Sequence, residues 1–285
     1  MKKIILTTES GSDVPQAMAD ELGIRITPMH VILGNDSYYD REIPIADVFS
    51  HFKRTRSMPT TSAVNPQEYI TFFTALRAEN PEADIVHVAY SSKASSTYQN
   101  ASIALDELKD GHIWLVDSQT VSCGIALLLW KATQLLPQCG DGSQAVEMIG
   151  NIIKRERVSF LPDTLEYLRA GGRVSNAAYL GTSLLRLKVL INMVDGKLVA
   201  SKKYRGNMDK VSFQYLEDFV RTHEPDRESI FLFYAEGFSM ELLEQLKGHC
   251  RRMGFEHIFT ADIGCVISCH GGPGVMGLAG FTHKD

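Results

Sequence analysis

The chain opens on KKIILTTESGSD, in which a short apolar run, Ile4 to Leu6, precedes a polar stretch. That pattern predicts a buried strand running into a turn. Ser10, Ser12 or Asp13 is then placed to cap a helix over VPQAMADEL, which carries proline near its first turn. GIRITPMHVIL reads as one further extended run, IADVFSHFKRT as a helix after Pro44, RSMPTTSAVNP as a loop, and PQEYITFFTALRAE as an amphipathic helix started by proline.

The rhythm becomes clearer after residue 80. ADIVHVAYSS is a strand ending in serines, STYQNASIALDEL a helix, HIWLVDSQ a strand, and SCGIALLLWKATQLL a strongly apolar helix. Strand–loop–helix units in series imply a parallel sheet covered by helices. Near residue 155 the texture changes, and RVSFLPDTLEYLRAGGRVSNAAYLG begins without that rhythm. KVLINMVDGKLVASKKYR predicts a hairpin turning at Asp195–Gly196. A helix over MDKVSFQYLEDFVRTH, a strand over SIFLFYAEG, a helix over SMELLEQLKGHCRRMG and an extended tail over HIFTADIGCVISCHGG follow. The reading is an α/β chain of two domains. Residues 1–155 form a parallel sheet covered by helices, and 156–285 form a mixed α/β domain with antiparallel pairing.

Composition narrows the function. The 285 residues are 44% hydrophobic and 22% charged, with a net charge of −5. This balance fits a globular protein and argues against nucleic acid as the main partner. No window has the apolar length of a membrane span, and the opening residues do not form a signal peptide, so a cytoplasmic location is expected. That leaves room for transient membrane contact. The five cysteines are scattered and read as free thiols. Cys265, Cys269 and His270 lack a fourth ligand at suitable spacing, so no metal is expected.

Three polar loops carry candidate chemistry: PTTSAVNP, SSKASSTYQ and VDSQTVSCG. Each alone reads as a set of helix caps. Together, near the carboxyl ends of parallel strands, they point to an oxyanion site. Arg173 follows a glycine pair that stops a helix, and its fork suits a carboxylate or phosphate, or else it stands on the surface. SKKYRGN is a basic cluster, either a solvated strand end or a docking patch. HGGPGVMG fixes a demanding backbone near the carboxyl terminus, with an imidazole at its front. Gly272, Gly274 and Gly277 have the G-x-G-x-x-G spacing, but no long helix pattern follows. The rival to a binding protein is a small-molecule kinase or hydrolase using Glu9, Asp117 and His270.

Taken in order, TTESGSD, PTTSAVNP, SSKASSTYQNA, VDSQTVSCG, LEYLRAGGRVSNAAYLG, DGKLVASKKYRGN and IGCVISCHGGPGVMG resemble the DegV family of bacterial fatty-acid-binding proteins over essentially the full chain. The resemblance implies a two-domain α/β fold with a long-chain fatty acid, such as palmitate, between the domains, and no other cofactor. It implies a carboxylate held by Thr61, Ser62, Ser92 and Ser95, with His270 and Arg173 nearby. It also implies a non-enzymatic carrier that hands the acid to a separate fatty acid kinase for phospholipid synthesis. Lys202, Lys203 and Arg205 match the region that meets that kinase. This sequence departs from the family pattern at Glu9, where Asp is usual, at Ser96, where Gly is usual, and at Val189, where proline is usual. None of these removes a proposed ligand group.

The tail needs apolar material, for which YITFFTAL, ALLLWKATQLL and AAYLGTSLLRL are candidates. The glycines of HGGPGVMG are expected to admit a head group where a Cβ would intrude, with the tail folding back to the interface and Pro273 limiting its freedom. An imidazole charged by a neighbouring carboxylate implies binding that weakens as pH rises.

Overall fold

The computed structural model describes residues 2–176, 178 and 187–283. Its first half contains β1 (Ile4–Glu9), α1 (Gln16–Leu22), β2 (Arg25–Thr27), β3 (His30–Leu33), β4 (Asp36–Tyr39), α2 (Ile45–Thr55), β5 (Thr60–Ser62), α3 (Pro66–Glu79), β6 (Asp84–Ala89), α4 (Thr97–Leu108), β7 (Ile113–Asp117), α5 (Cys123–Leu135) and α6 (Gly142–Ile153). The second half contains β8 (Glu156–Leu161), α7 (Glu166–Gly171), β9 (Leu187–Val194), β10 (Lys197–Arg205), α8 (Met208–His223), β11 (Pro225–Tyr234), α9 (Met240–Arg252), β12 (His257–Asp262), α10 (Cys265–Gly271) and β13 (Met276–Thr282).

Among the described residues the strands form three sheets. One is parallel, in the order β2-β1-β6-β7. A mixed sheet has the order β10-β9-β8-β13-β11-β12, and a small antiparallel sheet has the order β4-β3-β5. The change of texture near residue 155 falls where the mixed sheet begins, at Glu156.

α5 explains how the sheets join. Its first eight residues, Cys123 to Trp130, are apolar on every side and all buried. A helix hydrophobic all round must be covered on all faces. It packs against α6 and against β8, β11 and β13 of the mixed sheet. One apolar cluster therefore runs from Leu6, Val86 and Val116 of the parallel sheet through Ile125 and Leu128 to Phe160, Phe233 and Phe281 of the mixed sheet.

Several elements differ from the sequence reading. GIRITPMHVIL is broken at Pro28 into β2 and β3, which belong to different sheets. Proline removes a ladder donor and interrupts a strand. Thr60–Ser62, read as loop, is β5; its pairing with β3 sets Val31 opposite Thr61. RVSFL is β8, paired on both sides, and a strand buried on both faces shows little alternation. The anticipated cap of α1 is absent: Pro15 precedes the helix, Ser10 Oγ accepts from Met29 N–H, and Asp13 turns elsewhere. α6, capped by Asp141, is a helix the pattern did not supply. The hairpin at Asp195–Gly196 is present, with Lys197 opposite Val194.

The largest difference lies in the carboxyl-terminal region. IGCVISCHG, read as extended, contains α10, and β13 beyond it lies between β8 and β11 inside the mixed sheet. The first amides of α10 find acceptors far away in sequence. Asp13 Oδ1 accepts from Gly264 N–H at 2.6 Å and Asp40 Oδ1 from Val266 N–H at 3.1 Å. A helix start satisfied by remote carboxylates leaves no local cap signature.

Candidate functional site

A cavity of about 240 Å³ lies where the three sheets approach one another. Its polar wall is drawn from separated segments: Thr61 and Ser62 from β5, Ser95 and Ser96 from the loop before α4, Ser122 at the start of α5, Arg173 after α7, and His270 near the end of α10. Its apolar wall includes Val121, Phe160, Leu168, Leu198, Phe233 and Val275.

Thr61 Oγ1 and His270 Nε2 are 2.8 Å apart. The other ring nitrogen, Nδ1, is buried without a partner. A Cβ at residue 171 would lie 2.6 Å from that Nδ1, so Gly171 is the residue that lets the imidazole sit there. Burial, and secondarily the positive charge of Arg173, push the His270 pKa down to about 4. The ligand-free ring is therefore neutral at neutral pH. The charged imidazole expected from the sequence concerns the ring beside a bound carboxylate, whose negative charge acts against this downward shift. Arg173 is exposed, and its Nη1 donates to Gly171 O at 2.6 Å.

The serine loop is held from two directions. Ser91 Oγ donates to Gly196 O at 2.6 Å, and Lys93 Nζ donates to Asp195 O at 2.7 Å. On the other side Asp117 accepts from Ser92 N–H at 3.1 Å and from Ser92 Oγ at 2.5 Å. Ser95 lines the cavity, and its Oγ donates to Thr97 Oγ1 at 3.0 Å. Of the residues expected at the carboxylate, Thr61, Ser62, Ser95, Arg173 and His270 line this one cavity. Ser92 is not on its wall, and its hydroxyl donates to Asp117.

Glu9, Asp117 and His270 do not converge. Glu9 is fully buried, accepts from the Tyr69 hydroxyl, lies 2.8 Å from His87 Nε2, and accepts from Tyr90 N–H at 3.0 Å. It thereby anchors the start of the serine loop, while Asp117 holds Ser92 and His270 meets Thr61. The glycines of HGGPGVMG also differ from expectation. Only Gly271 of them lines the cavity; Gly272 closes on Tyr167, Gly274 on Asp163 and Gly277 on Phe233.

Two carboxyls missed by the sequence reading stand behind the site. Asp13 Oδ2 accepts from Ser122 Oγ at 2.5 Å, while Oδ1 holds α10 as described. Burial raises its pKa to about 7, against the opposing charge of Arg41 and its hydrogen bonds. Glu156, against Thr120, is raised by burial to about 8. Asp13 was singled out only as a possible helix cap, and no local pattern marks Glu156, because the burial of both depends on the tertiary fold.

In the basic cluster, Lys202 pairs with Asp218 and lies 4.9 Å over the Tyr204 ring. Lys202, Lys203 and Arg205 are exposed on β10, which is an edge strand of the mixed sheet. Among the described residues no group of three or more His, Cys, Asp or Glu side chains could hold a metal, and the five cysteines are free and buried. No described helix is long and apolar enough to cross a membrane. Most of the apolar stretch AAYLGTSLLRL lies outside the described residues.

Comparison with known proteins agrees with the fold. The profile of the DegV family, described as uncharacterised proteins, matches residues 3–283. A DegV domain-containing protein of Clostridium perfringens is 28% identical over 282 residues, covering 98% of each chain. A DegV family protein from Thermus thermophilus, described by its fatty acid binding, superposes with a TM-score of 0.87 at 26% identity, covering 99% of this chain and 100% of its own. A stearic-acid-binding protein from Eubacterium ventriosum has the same fold, with a TM-score of 0.83 at 22% identity, covering 99% of this chain and 98% of its own. The chain belongs to the DegV family.

Proposed function

We propose that this member of the DegV family binds a long-chain fatty acid and presents it to a separate fatty acid kinase. The carboxylate is held by the hydroxyls of Thr61, Ser62 and Ser95 with His270 and Arg173, and the tail enters the apolar part of the cavity. Residues 1–155 supply the hydroxyl loops and 156–285 supply Arg173 and His270, so the ligand lies between two domains.

The observation that carries this reading is the polar cluster around the 2.8 Å Thr61–His270 contact, set at the wall of an otherwise apolar cavity. A fatty acid needs those two unlike environments. Hydroxyl donors and a guanidinium favour a carboxylate. A tail of roughly fourteen methylenes contributes about 11 kcal/mol before ordering costs, at about 0.8 kcal/mol each. The fatty acid binding described for the Thermus thermophilus relative supports the same ligand class.

A carrier needs no catalytic constellation, and the separate engagements of Glu9, Asp117 and His270 fit that role. Lys202, Lys203 and Arg205 supply the docking patch, whose positive charge suits an acidic partner surface.

Equilibrium binding with Ser95→Ala and His270→Ala tests the site. Both variants should bind a fatty acid more weakly, and unchanged affinity in both would overturn the assignment. Arg205→Ala should keep fatty acid affinity while slowing acyl-phosphate formation by the kinase. Equal loss of both would contradict a docking role.

A further inference from the structure

The mixed sheet places three residues in one row. Phe233 of β11 pairs with Gly277 of β13, and Gly277 pairs with Phe160 of β8. Residues directly opposite across paired strands share a face. Both phenylalanines line the cavity, whereas Gly277 does not. The space above Gly277 is taken by the Phe233 ring. A Cβ at residue 277 would lie 2.0, 2.1 and 2.6 Å from Phe233 Cζ, Cε2 and Cε1.

No substituent can share that position with the ring, and the ring is 2% exposed. The missing side chain at Gly277 therefore lets Phe233 lie down across β13. With any Cβ there, the ring must move off the strand, and the room beside it is the cavity. At about 240 Å³ the cavity is below the roughly 300–1,000 Å³ of most small-molecule sites, so the position of one ring changes its capacity appreciably.

We propose that Phe233, laid over Gly277, is the bounding wall of the acyl-chain site and sets the chain length the protein accepts. This rests on the fatty-acid reading given above. The polar cluster fixes the carboxylate, so the distance from it to the ring becomes a ruler. Phe160, in the same row beyond Gly277, continues the wall.

The test is equilibrium binding of saturated acids from dodecanoic to icosanoic acid by the full chain and by Phe233→Leu, Phe233→Ala, Gly277→Ala and the Phe233→Ala/Gly277→Ala double variant. Phe233→Ala should move the optimum to a longer acid, with the longest acids gaining about tenfold relative to shorter ones as two methylenes find room. Phe233→Leu should shift it in the same direction by less. Gly277→Ala should move it to a shorter acid, and the double variant should return to the profile of Phe233→Ala. An unchanged length profile in folded Phe233→Leu and Phe233→Ala overturns the wall while leaving fatty acid binding intact. A full chain that binds no acid of the series overturns the ligand reading itself. If Gly277→Ala does not fold, the two Phe233 variants decide the matter alone.

Discussion

The hydroxyl of Thr61 and Nε2 of His270 meet at 2.8 Å across 209 residues of sequence. One side of the contact comes from a three-residue strand and the other from a short helix near the carboxyl terminus. Because the ring is neutral, its Nε2 can hold one proton and donate it to Thr61, which frees the Thr61 hydroxyl to donate to a carboxylate. Thr61→Val keeps the shape and removes that hydroxyl. It should weaken fatty acid binding by about tenfold to a hundredfold, as for a hydrogen bond to a charged group. Calorimetric titration reads the change, and an unaltered dissociation constant would contradict the role.

His270 should stay neutral well below neutral pH. Its folded pKa of about 4 lies below the ordinary 6.5, so the unfolded chain takes up the proton first. The stability tied to the neutral ring is present above 6.5 and lost as pH falls through about 4. Proton NMR of the imidazole in the ligand-free protein reads this directly. A midpoint above about 6 would contradict it.

Asp13 works in the opposite direction. Its folded pKa of about 7 stands above the ordinary 3.8, so the folded chain holds a proton the unfolded chain has lost. Its stabilising contribution is complete below 3.8 and is lost as pH rises through about 7. Asn suits the left-handed backbone at this position, where φ is 50°. In urea unfolding, the stability of Asp13→Asn relative to the parent should therefore rise across that window by a few kcal/mol. Glu156→Gln should act likewise up to about pH 8. A pH-independent difference for both would contradict the assignments.

Ser92 and Ser95 should separate. Ser92→Ala removes a bond to Asp117 outside the cavity, and fatty acid affinity should stay within about twofold. Ser95→Ala removes a hydroxyl from the cavity wall and should lower affinity by about tenfold. Matching losses would mean that the serine loop acts as one unit.

Much of this arrangement is legible in the sequence, and the rest is hidden for identifiable reasons. The parallel units, the Asp195–Gly196 hairpin and the strongly apolar α5 follow from local pattern and turn chemistry. The motifs single out Thr61, Ser62, Ser92, Ser95, Arg173 and His270, and the fold gathers all of these but Ser92 around one cavity. α10 was missed because Asp13 and Asp40 supply its first acceptors from the opposite end of the chain. β5 was missed because three polar residues become a strand only when β3 lies beside them. The neutral state of His270 depends on burial, and the contact between Gly277 and Phe233 depends on strand register; neither is encoded locally.

The central claim is tested most directly by mass spectrometry of the gently purified protein, before and after reloading with a mixture of fatty acids. A long-chain fatty acid should co-purify in near-stoichiometric amount, and Thr61→Val should retain less of it. Protein that carries no fatty acid as purified, and acquires none on reloading, would contradict the account.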